Sequence, residues 1–249
     1  MNVYYLNHEH FITGDTKLAT RFASKLKRDD SSLNIITFLV YSQHQYLPFL
    51  GEMGFSTQDY KNHGYPLKDG RLQIHTIKTY TPDYLFDGHQ PSEILISVGV
   101  PPKELIRFED MSNIAHCIIV PWTLDENREL LSIYEAQDIE TGENYPKPQD
   151  ADIRVKNAID WLKWTSYPNA GYHHPNDAER LHQMANALKK YRVPTDYAST
   201  VYCGIHNGLI PSSARKTADA FLRAQTRLFP VERDTDYAFL RKMMNESHE

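Results

Sequence analysis

The sequence predicts an α/β protein: a Rossmann-like or flavodoxin-like open parallel sheet of about five strands, followed by a smaller all-helical C-terminal part. Two apolar, β-branched runs support the sheet, at 92–100 and 114–122, and a short helical segment, 103–111, lies between them. Neither run alternates polar with apolar residues, which is typical of strands buried on both faces. A strand–helix–strand unit of this kind builds parallel sheets.

The rest of the first half continues the alternation of strands and helices. Apolar residues at four-residue spacing predict the first helix, with Asp15 as its N-cap. Gly54 is expected to end the second helix. The predicted elements are a strand at 3–6, a helix at 16–28, a strand at 33–41, a short helix from about Tyr46 to Met53, a more polar strand at 72–80 and a helix at 124–136.

A polar stretch with Gly142, Pro146 and Pro148 predicts a linker at about 137–150. It separates an α/β domain, 1–140, from a helical bundle domain, 150–249. Beyond the linker the strand-like runs stop, and caps and apolar periodicity predict about five helices. These helices are expected at 152–164, 176–191, 194–207 and 214–229, with a last short one ending near Met244.

Composition limits the function classes. The chain has 249 residues and a net charge of −5, without a basic tail or stripe, so duplex DNA binding is not expected. Its two cysteines form no disulfide framework. No leader or apolar run of membrane-spanning length is present, so no membrane contact and a cytoplasmic location are expected.

In parallel sheets, ligands bind at the carboxyl ends of the strands. The loop after the first strand contains Thr13-Gly14-Asp15-Thr16-Lys17 and enters a helix. Gly14 and Thr16 are therefore candidate anion-binding residues. The chain lacks the three-glycine dinucleotide fingerprint and the Walker loop, and a simple capped turn explains the same residues.

Acid–base chemistry in that loop is assigned to His10 and Asp15. His8 and His10 also form a His-x-His pair, which on an extended segment points both rings to one side and is suited to a metal. A polar surface loop is the alternative interpretation. A hydrolytic metal site would need further ligands, for which Asp83, Asp87 and His89 are available.

Other strand ends supply further candidate ligand-binding residues. Gly99 follows the central strand, where a ligand can approach the backbone, and Lys103 is placed to meet a phosphate; a plain turn is the equal alternative. Trp122 follows the next strand and suits base stacking or a cap on the core, and Thr123 suits a helix N-cap. Ser42 follows the second strand.

The helical part has its own candidates. Cys203 and His206 lie one helical turn apart, and His173 and His174 would be needed to complete a zinc site. A Cys203–His206 catalytic pair is the second possibility, but the apolar face around Cys203 is typical of an inert cysteine. A third hypothesis is an interaction surface built from tyrosines and arginines, which are common binding hot spots. Its residues are Tyr191, Arg192, Tyr197, Tyr202, Arg215 and Arg223.

The order of elements in 1–122 resembles the first half of two-domain sugar-nucleotide transferases. In those proteins a glycine turn enters a helix, an apolar strand leads to a helix ending at glycine, and a late strand ends in Gly-Pro. The resemblance is one of pattern, covers half of the chain and lacks the second nucleotide-binding half.

The functional hypothesis is a protein that binds a small anionic or nucleotide-like ligand at the carboxyl ends of the strands. If it is an enzyme, a transferase or hydrolase is favoured over an oxidoreductase, because the dinucleotide fingerprint is missing. The alternatives are a metal-dependent hydrolase using His8 and His10, and a non-enzymatic protein–protein interaction module. The sequence identifies no cofactor, and a homo-oligomer is compatible with it.

Overall fold

The structure is a computed structural model. It describes residues 1–12, 14–42, 51, 54–61, 65–67, 70–81 and 91–231. The predicted helix ending at Met53 and the last short helix near Met244 lie outside the described residues, or almost wholly so. Thr13, Asp83, Asp87 and His89 also lie outside them.

The first unit is built on a seven-stranded sheet, so two short strands are added to the five that the sequence predicts. Six strands are parallel, and β3 pairs antiparallel with β4 at one edge. The order across the sheet is β3-β4-β2-β5-β6-β1-β7. The strands are β1 (Asn2–Tyr5), β2 (Ile35–Val40), β3 (Tyr65–Leu67), β4 (Gly70–Thr76), β5 (Glu93–Val98), β6 (Ile114–Val120) and β7 (Gln137–Asp138).

Helices connect these strands on the two faces of the sheet. They are α1 (Asp15–Asp29), α2 (Thr57–Lys61), α3 (Pro102–Leu105) and α4 (Leu124–Ile133), with a 3₁₀ turn at Ile106–Phe108 after α3. The predicted helix at 103–111 is thus one short turn followed by a 3₁₀ turn. The α/β class is confirmed, but the first strand lies between β6 and β7, whereas the Rossmann order places it near the centre.

Each central strand is buried on both faces because it separates two apolar clusters. Ile94, Ile96 and Val98 of β5 face the cluster that α1 covers, through Ala19 and Ala23. Leu95 of the same strand faces the cluster that holds Leu105, Phe108, Leu130 and Leu131. Two-sided burial explains why these strands read as continuous apolar runs.

The two short strands and α2 were missed by the sequence analysis. β7 falls inside the predicted linker, and the segment after it is tied to the sheet by a hydrogen bond from Ile139 N to Tyr5 O (3.0 Å). β3 and α2 lie between residues 56 and 70, a stretch that is polar and rich in turn-forming residues. Elements of two to five residues are too short for periodicity to show in a sequence.

The second unit, from Pro148 onward, is helical in its described part. Asp152 caps the first of these helices, since its carboxylate accepts a hydrogen bond from Arg154 N (2.9 Å). The next two helices are capped by His174 and Asp196. The helices are α5 (Ile153–Thr165), α6 (Pro175–Lys190), α7 (Tyr197–His206) and α8 (Pro211–Thr226).

The chain divides between Lys147 and Pro148 into the two compact units. In the described part of the chain, no helix combines the length and the apolar character needed to cross a bilayer.

Candidate functional site

The candidate site lies at the carboxyl ends of β6, β1 and β7, where chain connections leave the sheet in opposite directions. From β1 the chain passes through α1 to β2, toward the β3 edge of the sheet. From β6 it passes through α4 to β7, toward the opposite edge. A reversal of this kind leaves a crevice at the strand ends, the usual ligand position in open α/β sheets.

The loop after β1 crosses the end of β6 and is fixed there by backbone hydrogen bonds. Phe11 N donates to Trp122 O (3.1 Å), and Leu124 N donates to Glu9 O (3.2 Å). His10 and Thr123 form an antiparallel bridge between these two bonds. The loop is therefore held across the strand ends between Glu9 and Phe11, and the His10 side chain on it is exposed.

An aromatic pair links this loop to the residue that follows β6. The rings of Phe11 and Trp122 are stacked, with centroids 5.8 Å apart and planes 15° from parallel. Trp122 is 44% exposed. The predicted stacking residue is therefore open to solvent on a fixed backbone, which suits a planar ring of a ligand.

His8 lies between two carboxylates at the same edge. Its Nδ1 is 2.8 Å from Oδ1 of Asp15, and its Nε2 is 3.0 Å from Oε2 of Glu140. Ionised carboxylates only accept hydrogen bonds, so each of these two contacts is a hydrogen bond when the ring nitrogen that makes it carries a proton. The structure thus pairs Asp15 with His8, and not with the predicted His10.

The two carboxylates that contact His8 differ in how deeply they are buried. The Asp15 side chain is 1% exposed, and its second oxygen accepts a hydrogen bond from Ile12 N (2.9 Å). The Glu140 side chain is 44% exposed. Asp15 consequently fixes the ring, whereas Glu140 covers its outer nitrogen from the solvent side.

The predicted N-cap role of Asp15 is wrong. The helix begins at Asp15, and the N-cap residue is Gly14, with a left-handed φ of 107° and no side-chain cap. An added Cβ at Gly14 would meet no atom within 4 Å. Within the described residues, the first-turn amides of Thr16 and Lys17 have no recorded partner. Such amides can bind an anion.

Among the residues that the structure describes, two buried polar groups at the starts of α1 and α4 have no hydrogen-bond partner. One is the hydroxyl of Thr16, at the start of α1. The other is Oδ1 of Asn127, whose Nδ2 donates to the carbonyl of Thr123 (3.1 Å). Thr123 occupies the predicted N-cap position of α4, although its hydroxyl makes no capping bond.

The remaining predicted ligand residues lie at neighbouring strand ends. Gly99 is in the left-handed region, with φ 58°, and its amide donates to Val120 O (2.9 Å). Lys103 is exposed on the short α3. Ser42, after β2, is half-buried. In the described part of the chain, no hydrogen bond or ion pair joins these residues to His8 or Asp15, so their ligand roles stay predictions.

The metal hypothesis lacks a ligand set in the described part of the chain, where no three histidine, cysteine, aspartate or glutamate side chains form a metal-binding group. Asp15 and Glu140 contact opposite nitrogens of the His8 ring. One ion cannot be held by all three of these side chains in that arrangement.

The helical unit does not form the predicted Cys203–His206 pair. His206 Nδ1 faces Tyr202 O (2.9 Å), and Cys203 Sγ accepts a hydrogen bond from Asn207 Nδ2 (3.3 Å). Burial raises the pKa of the Cys203 thiol, which favours the unreactive form. Among the predicted interaction residues, Arg215 is buried.

Sequence reasoning missed Glu140 and the pairing of His8 with Asp15. A seven-residue separation gives no signal in a loop, and Glu140 lies far along the chain in a predicted linker. Comparison with known protein families, with curated proteins and with solved structures finds no match to this chain.

Proposed function

We propose that this chain binds a small anionic ligand, of phosphate or nucleotide type, at the carboxyl edge of the sheet. The observation that carries the proposal is the His8 ring, held by buried Asp15 while its outer nitrogen already binds a carboxylate. The first turn of α1, whose N-cap Gly14 has no side-chain cap, follows directly in sequence and adds backbone amides and the positive end of the helix dipole.

A nucleotide-like ligand is favoured over a bare anion by the Phe11–Trp122 stack. Phe11 lies on the loop that joins β1 to α1, and Trp122 lies on the β6–α4 connection to which that loop is hydrogen-bonded. An aromatic face and the start of α1 are therefore found at the same edge of the sheet. For a transfer reaction on such a ligand, we assign proton transfer to His8 in place of His10, because an oriented imidazole is the usual acid–base group.

The test is a titration with inorganic phosphate and then with nucleoside mono- and diphosphates, followed by amide NMR. We expect the Thr16 and Lys17 amides to shift with phosphate. The start of α8 is an internal control, since it also lacks a side-chain cap but has no neighbouring histidine contact recorded. Equal shifts at both helix starts, or none at α1 at millimolar phosphate, would overturn the proposal.

The aromatic part is tested separately by fluorescence. A variant with Trp161→Phe and Trp164→Phe leaves Trp122 as the single tryptophan of the three. Nucleotides should quench its emission, whereas phosphate alone should not. Quenching that persists when His8 is changed to Asn would show that the base binds without the anion contact.

A further inference from the structure

Glu140 is held in a different way from the other groups of the site. Its backbone belongs to a tight turn, in which Glu140 N donates to Asp138 Oδ1 (3.0 Å) and Gly142 N donates to Asp138 O (2.9 Å). Its side chain extends from this turn to the outer nitrogen of His8. The carboxylate can therefore leave His8 by a change of rotamer, while the backbone of the turn stays in place.

The other contact of His8 cannot be exchanged in this way. Asp15 is buried and uses both carboxylate oxygens, one for His8 and one for Ile12 N. Removing a partner from a buried carboxylate is costly, whereas an exposed ion pair contributes little. An incoming anion thus competes with Glu140 alone, and the ring remains oriented by Asp15 throughout.

We propose that Glu140 is an internal competitor for the anion site, whose carboxylate occupies His8 Nε2 until a phosphate-type ligand displaces it. This inference rests on the proposed function. It adds that, before a ligand binds, the Glu140 carboxylate occupies the position at His8 Nε2 that the anion would take. Displacement leaves the Glu140 carboxylate in water, so binding exchanges one ion pair of His8 for another.

The decisive comparison is Glu140→Gln against Glu143→Gln. Glu143 lies exposed on the same turn, and no ion pair between it and His8 is recorded. Both variants remove one negative charge at nearly the same place, so the general electrostatic effect is matched. Inorganic phosphate is the probe, titrated at constant ionic strength.

We expect Glu140→Gln to bind phosphate about two- to fivefold more tightly than Glu143→Gln, the range that exposed ion pairs contribute. Ring ¹⁵N spectra of His8 give a second readout. On addition of phosphate the Nε2 signal should move while the Nδ1 signal, held by Asp15, stays.

The His8→Asn variant separates binding from folding. An asparagine amide nitrogen lies close to the position of imidazole Nδ1, so the donor to Asp15 is kept while Nε2 is lost. This variant should fold and should lose phosphate binding, with or without Glu140→Gln.

The outcomes distinguish the two proposals. Phosphate binding that is equal in Glu140→Gln and Glu143→Gln overturns the competitor role and leaves the proposed function standing. Phosphate binding that survives His8→Asn places the anion away from His8 and also overturns the competitor role. Absence of binding in the native chain and in every variant overturns both.

Discussion

At His8, the burial of each carboxylate partner, and not its distance, decides whether that ion pair can be exchanged for another. His8 is 2.8 Å from Asp15 and 3.0 Å from Glu140, nearly the same separation. The first carboxylate is buried and orients the ring, and the second is exposed and can be replaced. A sequence shows three ionisable residues but not their depth, so their different roles become visible only in the folded chain.

The buried carboxyl of Glu93 gives a prediction at this scale. Its two oxygens accept hydrogen bonds from Tyr80 Oη (2.7 Å) and Asn113 Nδ2 (2.6 Å). Burial and the neighbouring carboxyl raise the pKa of Tyr80, so the phenol stays a donor. Tyr80→Phe should lower the free energy of unfolding by about 1–3 kcal/mol, since Glu93 loses a donor that water cannot replace.

Urea denaturation checks this value, with Tyr41→Phe as the control, because Tyr41 is exposed at the end of β2. An unchanged unfolding midpoint for Tyr80→Phe would contradict the role given to the network.

A second prediction concerns His182, whose ring stacks on Phe229 with centroids 4.1 Å apart. Burial first, and then the charges of Arg223 and Lys216, lower its pKa in the folded chain. The unfolded chain therefore binds the proton more readily. The stability from neutral His182 is present above the unfolded pKa of 6.5 and is lost as the pH falls through the lower folded value.

Denaturation curves at about pH 7 and about pH 5 test this sign. His182→Phe keeps the stack but removes the titration, so its stability should fall less on acidification than that of the native chain. A larger fall in the variant would reverse the assignment.

Among the elements, α7 and α8 are closely packed at Gly204. An added Cβ there would lie 2.9 Å from Cβ of Ala214 and 3.3 Å from Cδ1 of Leu209. Gly204→Ala should therefore destabilise the α7–α8 pair by about 1–3 kcal/mol through overpacking. Thermal denaturation, followed through signals from the helical unit, measures this loss of stability.

The control is the double variant Gly204→Ala with Ala214→Gly, which moves the methyl group from one helix to the other. Ala214→Gly alone should cost about 1 kcal/mol of helix propensity. The double variant should be more stable than the sum of the two single effects. Strict additivity would show that the two positions do not touch.

Across the whole molecule, the position of the boundary between the units is testable by truncation. The segment 141–147 follows β7, and its Tyr145 packs on Tyr5 with ring centroids 5.6 Å apart. Tyr145 N also donates to Ala136 O (2.7 Å). A chain of residues 1–147 should fold cooperatively and exceed residues 1–140 in stability by on the order of 1–2 kcal/mol, less than a fully buried aromatic side chain contributes, because Tyr145 is only partly buried. Equal urea midpoints would place the boundary at 140.

Most of the α/β class was predictable because it depends on local patterns. The strands β2, β5 and β6 are runs that need burial on both faces, and α1 and α4 carry apolar residues at helical spacing. The short strand β7 was not predictable, since two residues show no period. Only its pairing with β1 makes this segment a strand.

The sequence by itself determined the alternation of strands and helices, the helical character of the second half and the loops that end at the carboxyl edge. Tertiary structure decided the strand order, which places β1 between β6 and β7. That order brings Glu140 to His8, whose ring is held by Asp15 at the start of α1. The physical reason is that periodicity is set by neighbours in sequence, whereas strand order and ion pairs are set by which surfaces pack together.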